Sequence, residues 1–478
     1  LATYFKYKSV EDLETEVLQI GLPIGLRSDF QPLAEPTFVA NRRVGNRIAV
    51  QPMEGCDGRP DGTPDELTYR RYQRFGAGGA KLIWGEATAV SLDGQANPRQ
   101  LHLCEENLAE FAKLLDSTRR AHRQSIGDDS DLLIGLQLTH SGRFCFRKPI
   151  LAAHCAVLDK RTFADRTAGT TLEPPYPLIS DDELERLADA YVKTTKLVFR
   201  AGFDFVDLKQ CHRYLLGELL AAKTRPGGYG GEFEKRSRFI LRLVQRIRTE
   251  VPTALIASRM NAFDGIPFRK RADGVGEPCL FQPPFLTAFG TNENDPLSDD
   301  LDEPIRLIGL MRDAGVSLVN ISLGCPYYNP HILRPAQYPP IDGYDPPEHP
   351  LVGVARHFRI TAAIQAMYPD LAIVGSGYSF LQDFLFHAAA ANVADGRATF
   401  CGIGRIALAY PSSPRDILEH GRLNRKSVCR TFSYCTNLMR SKHHPLGQFP
   451  TGCPPFDKEV YHEIWKEASG SADRKNCP

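Results

Sequence analysis

Lys209, His212 and Tyr214 fall within six residues in Asp207-Leu208-Lys209-Gln210-Cys211-His212-Arg213-Tyr214, where a mostly apolar run over residues 203–208 comes to its end. An amine, an imidazole and a phenol are three proton-active groups, and gathered at one strand end they look like a catalytic site. Alternation along a strand puts Asp207 and Lys209 on one side and Leu208 and Gln210 on the other, so Lys209 can point inward while the chain turns to present His212. Each residue also has a plainer use: an ion pair for Lys209, a satisfied core imidazole for His212, a phenol packed under the next helix for Tyr214.

The segment is one of eight short apolar runs, at residues 46–53, 80–90, 132–140, 203–210, 254–262, 318–324, 372–377 and 399–405. Helical patterns lie between them. Residues 181–201 carry Leu184, Leu187, Ala188, Tyr191 and Val192 at helical spacing behind the N-cap signature Ser180-Asp181-Asp182-Glu183, and 235–249 reads the same way. Strands alternating with helices predict a parallel sheet covered on its faces, and eight units predict a (β/α)8 TIM barrel with its site at the strand C-terminal ends. A doubly wound open sheet is the rival, but Pro52-Met53-Glu54-Gly55 stands where its glycine fingerprint would follow the first strand. The expected divisions are an N-terminal segment (1–40), the barrel (41–420) and a cysteine-bearing extension (421–478). Segments 141–180, 263–303 and 324–350 follow the third, fifth and sixth strands and are read as lids over the catalytic face.

Composition narrows the partners. Lys and Arg number 58 against 57 Asp and Glu, a net charge of +1 that calls for neither nucleic acid nor an anionic membrane, so a small-molecule substrate is expected. No apolar window reaches the ~18–20 residues of a membrane span. Twelve cysteines in 478 residues are too sparse for a disulfide scaffold, and residues 1–20 lack a signal-peptide core, so a cytoplasmic location is expected. Leu1 is not a natural initiator, which suggests that a residue or a longer leader has been removed. A homo-oligomer is compatible with the sequence.

Glycines recur where barrels hold phosphate: Gly375-Ser376-Gly377 after the seventh strand, and Gly402-Ile403-Gly404-Arg405 after the eighth. They let backbone N–H groups approach an anion, and Arg405 adds a charge-assisted contact. Together with Asn46-Arg47-Ile48, Pro52-Met53, residues 86–90, residues 135–143, Ala201-Gly202-Phe203-Asp204, Tyr229-Gly230-Gly231 and Glu234-Lys235-Arg236-Ser237-Arg238-Phe239, these segments in order resemble the Old Yellow Enzyme family of FMN-dependent NADH:flavin oxidoreductases over about residues 40–420. The resemblance implies FMN, with NAD(P)H as reductant. It places flavin contacts at Pro52, Met53, Glu54, Ala87, Gln137, Arg259, Gly375, Ser376, Gly377, Gly404 and Arg405, with Arg259, at the end of strand five, serving the ring edge that gains negative charge on reduction. It gives His212 the substrate oxygen and Tyr214 the proton, and makes His140 structural. Two departures stand out: Lys209 occupies a slot that is commonly histidine, and Glu54 one that is often Cys or Thr.

Some long family members carry a four-cysteine iron–sulfur site beyond the barrel. Here Cys429, Cys435 and Cys453 remain while Phe432 fills the expected second position, so no cluster is expected, although His443 or His444 could complete a zinc set. The basic run Arg269-Lys270-Arg271 reads as a solvated loop face. The expected activity is ene-reductase-like, passing hydride from NAD(P)H through flavin to an activated alkene conjugated to a carbonyl. An FMN-dependent amine or alcohol dehydrogenase or demethylase, and a non-catalytic flavin-binding barrel, are the alternatives.

Overall fold

The computed structural model describes residues 4–162 and 176–470. Parts of the 141–180 lid and of the C-terminal extension therefore lie outside the described residues.

All eight sequence-derived runs form strands of one closed barrel. In chain order they are β1 (Ile48–Val50), β2 (Leu82–Ala89), β3 (Leu133–Thr139), β4 (Phe205–Leu208), β5 (Leu255–Phe263), β6 (Val316–Leu323), β7 (Ala372–Gly375) and β8 (Phe400–Ile403). Every neighbouring pair is parallel, and β8 pairs with β1 through Cys401–Ile48 and Ile403–Val50, which closes the ring. One principal helix follows each strand: α1 (Glu66–Gly76), α2 (Leu108–Ile126), α3 (Asp181–Arg200), α4 (Phe233–Glu250), α5 (Asp302–Asp313), α6 (Pro350–Met367), α7 (Leu385–Ala394) and α8 (Ser413–His420). The N-cap reading holds at α3, where Ser180 and Glu183 form a reciprocal capping box.

Two apolar cores follow from the two faces of each strand. One lies between strands and helices. The other fills the barrel, where Ala49, Leu82, Trp84, Leu133, Phe205, Leu255, Ala257, Leu318, Ala372, Val374 and Phe400 pack together with Val39 and Val44. Those last two belong to a short N-terminal hairpin (Thr37–Val39 with Arg42–Val44), which shares the interior core. Further along the same inward-facing rows the side chains turn polar. Asn320 donates to Gln51 at 2.8 Å and Gln51 donates to Ser376 at 3.0 Å, while Asp207 accepts from Trp84 Nε1 at 2.7 Å and from Gln137 at 2.5 Å. Period two thus carries each strand from an apolar floor to a polar rim.

The loop after β5 contains a hairpin (Phe268–Lys270 with Gly276–Pro278), on which Arg269 pairs with Glu277 at 2.8 Å and Arg271 pairs with Asp273. The basic run is therefore an exposed edge whose two arginines are paired within the loop. Among its described residues the extension carries two helices, α9 (Tyr434–Arg440) and α10 (Lys458–Gly470). It docks on α1 through Asp457, which binds Arg70 at 2.7 and 2.8 Å and also Arg74. Thr451 reaches the loop after β1 by donating its N–H to Gly55 at 2.7 Å.

Candidate active site

A cavity of about 220 Å³ opens at the C-terminal ends of the strands. Its wall contains Lys209, His212 and Tyr214, together with Pro52, Met53, Glu54, Ala87, Gln137, Arg259, Ser376, Gly377, Gly404 and Arg405. Residues named from seven of the eight strands or the turns that follow them therefore meet in one space. Gly375 does not reach the wall. It is the last residue of β7, and a Cβ there would meet the Tyr378 hydroxyl at 3.3 Å. Arg259 was expected at the end of strand five, yet β5 continues four residues past it, so it projects from mid-strand at the polar rim.

The turn after β4 is strained. His212 and Arg213 have φ of 61° and 59°, a left-handed pair without glycine. Arg213, 2 % exposed, holds that geometry by donating to the carbonyls of Thr287 and Gly265, the latter at 2.9 Å. The turn lets His212 share the cavity with Lys209, and Ser322 Oγ contacts His212 Nε2 at 2.9 Å. Burial, with Arg259, Lys209 and Arg334 as charged neighbours, drives the imidazole well below the usual histidine range, so it is neutral at pH 7.

Lys209 sits 3.4 Å from the centroid of the Tyr214 ring. Burial lowers its pKa, while Cys211 and Glu54 favour its charge. Burial also raises Tyr214, assisted by Tyr327, whose hydroxyl lies 3.5 Å away, so the phenol keeps its proton. Glu54, hydrogen-bonded by Asn97, is pushed up to about 7 by burial against the pull of Lys209. It neither caps a helix nor joins the neighbouring buried ion pairs of Arg71 with Asp57 and Glu86. His140, buried, falls to about 4 and accepts from the Gly142 N–H at 3.2 Å, a structural placement.

Asp207 organises one wall. It accepts the Arg259 backbone N–H at 2.6 Å as well as the Gln137 amide, which leaves the Gln137 carbonyl as an available acceptor. Gly377, at φ 95°, and Gly404, whose missing Cβ would meet nothing closer than 3.8 Å, keep the rim after β7 and β8 open. Arg259 Nε and Arg405 Nη1 are buried and have no hydrogen-bond partner. A flavin mononucleotide fits this donor set: an amide acceptor and a guanidinium for the ring edge, and open glycines with an arginine for the phosphate.

Several wall residues lay beyond the sequence reading: Gln51, Tyr327 and Arg334 from the barrel loops, and Cys435, Thr436, Met439 and Thr451 from the extension. Inward alternation on β1 could have found Gln51. Tyr327 and Arg334 lie in the 324–350 segment read as a lid, though nothing there singles them out; no local signal places the extension residues at the wall, because the extension folds back over the barrel mouth. Among the described residues the cysteines are free and no three His, Cys, Asp or Glu side chains are arranged as a metal site.

A closed parallel barrel with one cavity at its strand C-terminal ends, lined by guanidinium groups and open glycines, is a scaffold able to hold a phosphate-bearing cofactor. The chain belongs to the NADH:flavin oxidoreductase / NADH oxidase family, whose sequence profile matches residues 32–275. It is 28% identical to an NADH:flavin oxidoreductase of Gibberella zeae over 52% of this chain and 56% of that protein, and 23% identical to an NADH oxidase of Thermoanaerobacter brockii over 82% and 51%. It thus spans about half the length of these curated relatives. The fold resembles 2-naphthoyl-CoA reductase in complex with 2-naphthoyl-CoA (TM-score 0.64, 16% identity, 86% of this chain and 55% of that one). It also resembles an Old Yellow Enzyme homologue from Zymomonas mobilis (TM-score 0.57, 20% identity, 82% and 94%).

Proposed function

We propose that the protein is an FMN-dependent, ene-reductase-like oxidoreductase that takes reducing equivalents from NAD(P)H and saturates an alkene conjugated to a carbonyl. The observation that carries this reading is the shared cavity: Lys209, His212 and Tyr214 face the same space as Arg259, Gly377 and Arg405. Bound FMN would supply the hydride chemistry, held by Arg405 and the open glycines at its phosphate and by Gln137 and Arg259 at its ring.

The chain's own groups handle oxygen and proton. His212, neutral, polarises the substrate oxygen as a hydrogen-bond donor rather than as a cation, and Lys209 supplies the charge that favours an enolate-like oxyanion. Tyr214 retains its proton until carbon basicity demands it. The barrel of 41–420 and the extension of 421–478 act together here, since residues after 420 complete the wall. A small-molecule acceptor is the partner. Of the second reading, an amine or alcohol dehydrogenase or demethylase, the oxidation of a cationic amine is disfavoured because Lys209 and Arg259 would repel the substrate.

Anaerobic titration tests the proposal. The full chain loaded with FMN should bleach with NAD(P)H and regain its yellow colour on addition of an enone. A folded chain without FMN affinity, or a flavin that is reduced by an amine and not by nicotinamide, would refute it.

A further inference from the structure

Among the described residues, the cavity wall carries four cations, Lys209, Arg259, Arg334 and Arg405, and one carboxylate, Glu54. None of the four cations is in an ion pair among those residues. Three have an assignment above. Arg334, from the loop after β6, does not.

The Arg334 guanidinium is anchored on one side and open on the other. Nη1 donates to Thr436 Oγ1 on α9 of the extension, whereas Nε and Nη2 are buried with no partner. Those two atoms form one edge of the guanidinium, the fork that matches two oxygens of an anion. The adjacent Pro335 carbonyl accepts from Arg405 Nη2 at 2.7 Å, which leaves Arg405 Nη1 buried and unpartnered as well. The two arginines are thus tethered through consecutive residues, and each strengthens the local positive potential. Leaving several buried guanidinium donors unmet is costly, and an oxyanion relieves the cost directly.

We propose that Arg334, held by Thr436, is a second guanidinium for the phosphate of FMN, acting together with Arg405, and that the C-terminal extension is therefore part of the cofactor site. The inference rests on the FMN reading and deepens it. Charge balance selects this ligand over an anionic substrate. A phosphate monoester carries about two negative charges near neutral pH, matching Arg334 and Arg405. The negative charge gained by the reduced ring then falls to Arg259 and the developing oxyanion to Lys209, while Glu54, lifted by burial to about 7, does not add a full charge near neutral pH.

Binding of FMN and of riboflavin, which lacks the phosphate, to the full chain freed of flavin separates the outcomes. The wild type should quench the fluorescence of both. Arg334→Ala should weaken FMN by about tenfold to a hundredfold while changing riboflavin by less than about twofold. Arg334→Lys should recover part of the loss. Thr436→Val, which keeps the guanidinium but frees it, should weaken FMN severalfold and leave riboflavin alone, and it serves if the alanine variant folds poorly. Equal loss of both ligands would overturn the proposal by showing a structural role. Intact FMN affinity with a raised KM for an anionic enone would overturn it in favour of a substrate site. Wild-type chain that binds neither flavin would instead defeat the underlying FMN reading.

Discussion

Glu54→Gln isolates the most unusual charge at the site. Burial lifts its carboxyl from an ordinary 4.5 to about 7, with Lys209 and the Asn97 hydrogen bond pulling the other way and Glu86 adding to the rise. A folded-state value above the unfolded one means that the native protein holds the proton more tightly. Between about pH 4.5 and pH 7 it therefore binds more protons than the unfolded chain, and stability falls as pH rises through that window. At ~1.36 kcal/mol per tenfold change in proton affinity, the ionised carboxylate costs the fold about 3 kcal/mol above pH 7. This is an upper bound, because the side chain shares a wall with an open cavity. Glutamine imitates the protonated acid, so the variant should match the wild type near pH 4.5 and exceed it by about 1–3 kcal/mol at pH 8. Denaturant unfolding of both proteins, free of flavin, at pH 5, 6.5 and 8 gives that difference directly. A gap that stays constant across the three pH values would refute the argument, since a packing change carries no pH dependence.

Three further outcomes follow from the geometry. Lys209→Met should lower kcat/KM for an enone by about a hundredfold and leave flavin reduction by NAD(P)H unchanged in stopped flow, since the amine acts on the substrate oxygen. Gly377→Ala should cost about 1–3 kcal/mol by thermal unfolding, because φ is 95° and the new Cβ would lie 2.8 Å from the His357 side chain. Asp457→Asn should cost about 2 kcal/mol and speed limited proteolysis within the extension, since the carboxylate, 4% exposed, is what Arg70 and Arg74 share.

What was legible in the sequence and what was not divide along a physical line. The eight strands were readable because each is a short apolar run, and the helices because their apolar residues recur at helical spacing; both patterns are local. Lys209, His212 and Tyr214 were readable as a group because one strand end carries all three within six residues. Arg259 was found but set at a strand end, since β5 runs on through Met260, Asn261, Ala262 and Phe263 and nothing in that polar-and-apolar mixture announces where pairing stops.

Arg334 and Thr436 fall on the other side of the line. They are a hundred positions apart, each lies in a segment with no periodicity of its own, and their meeting depends on how the extension is pinned. That pin is Asp457 with Arg70 and Arg74, a contact spanning nearly the whole barrel in sequence. An acid in a loop and two arginines on an amphipathic helix look like solvated surface when read alone. Their consequence is that a segment which reads as an appendage closes the mouth of the barrel, so the wall of the cavity depends on the docking of residues beyond the last barrel helix. A mutation at the Asp457 pin should therefore be felt at the cofactor site, through Thr436 and Arg334, although no atom of Asp457 lines the cavity.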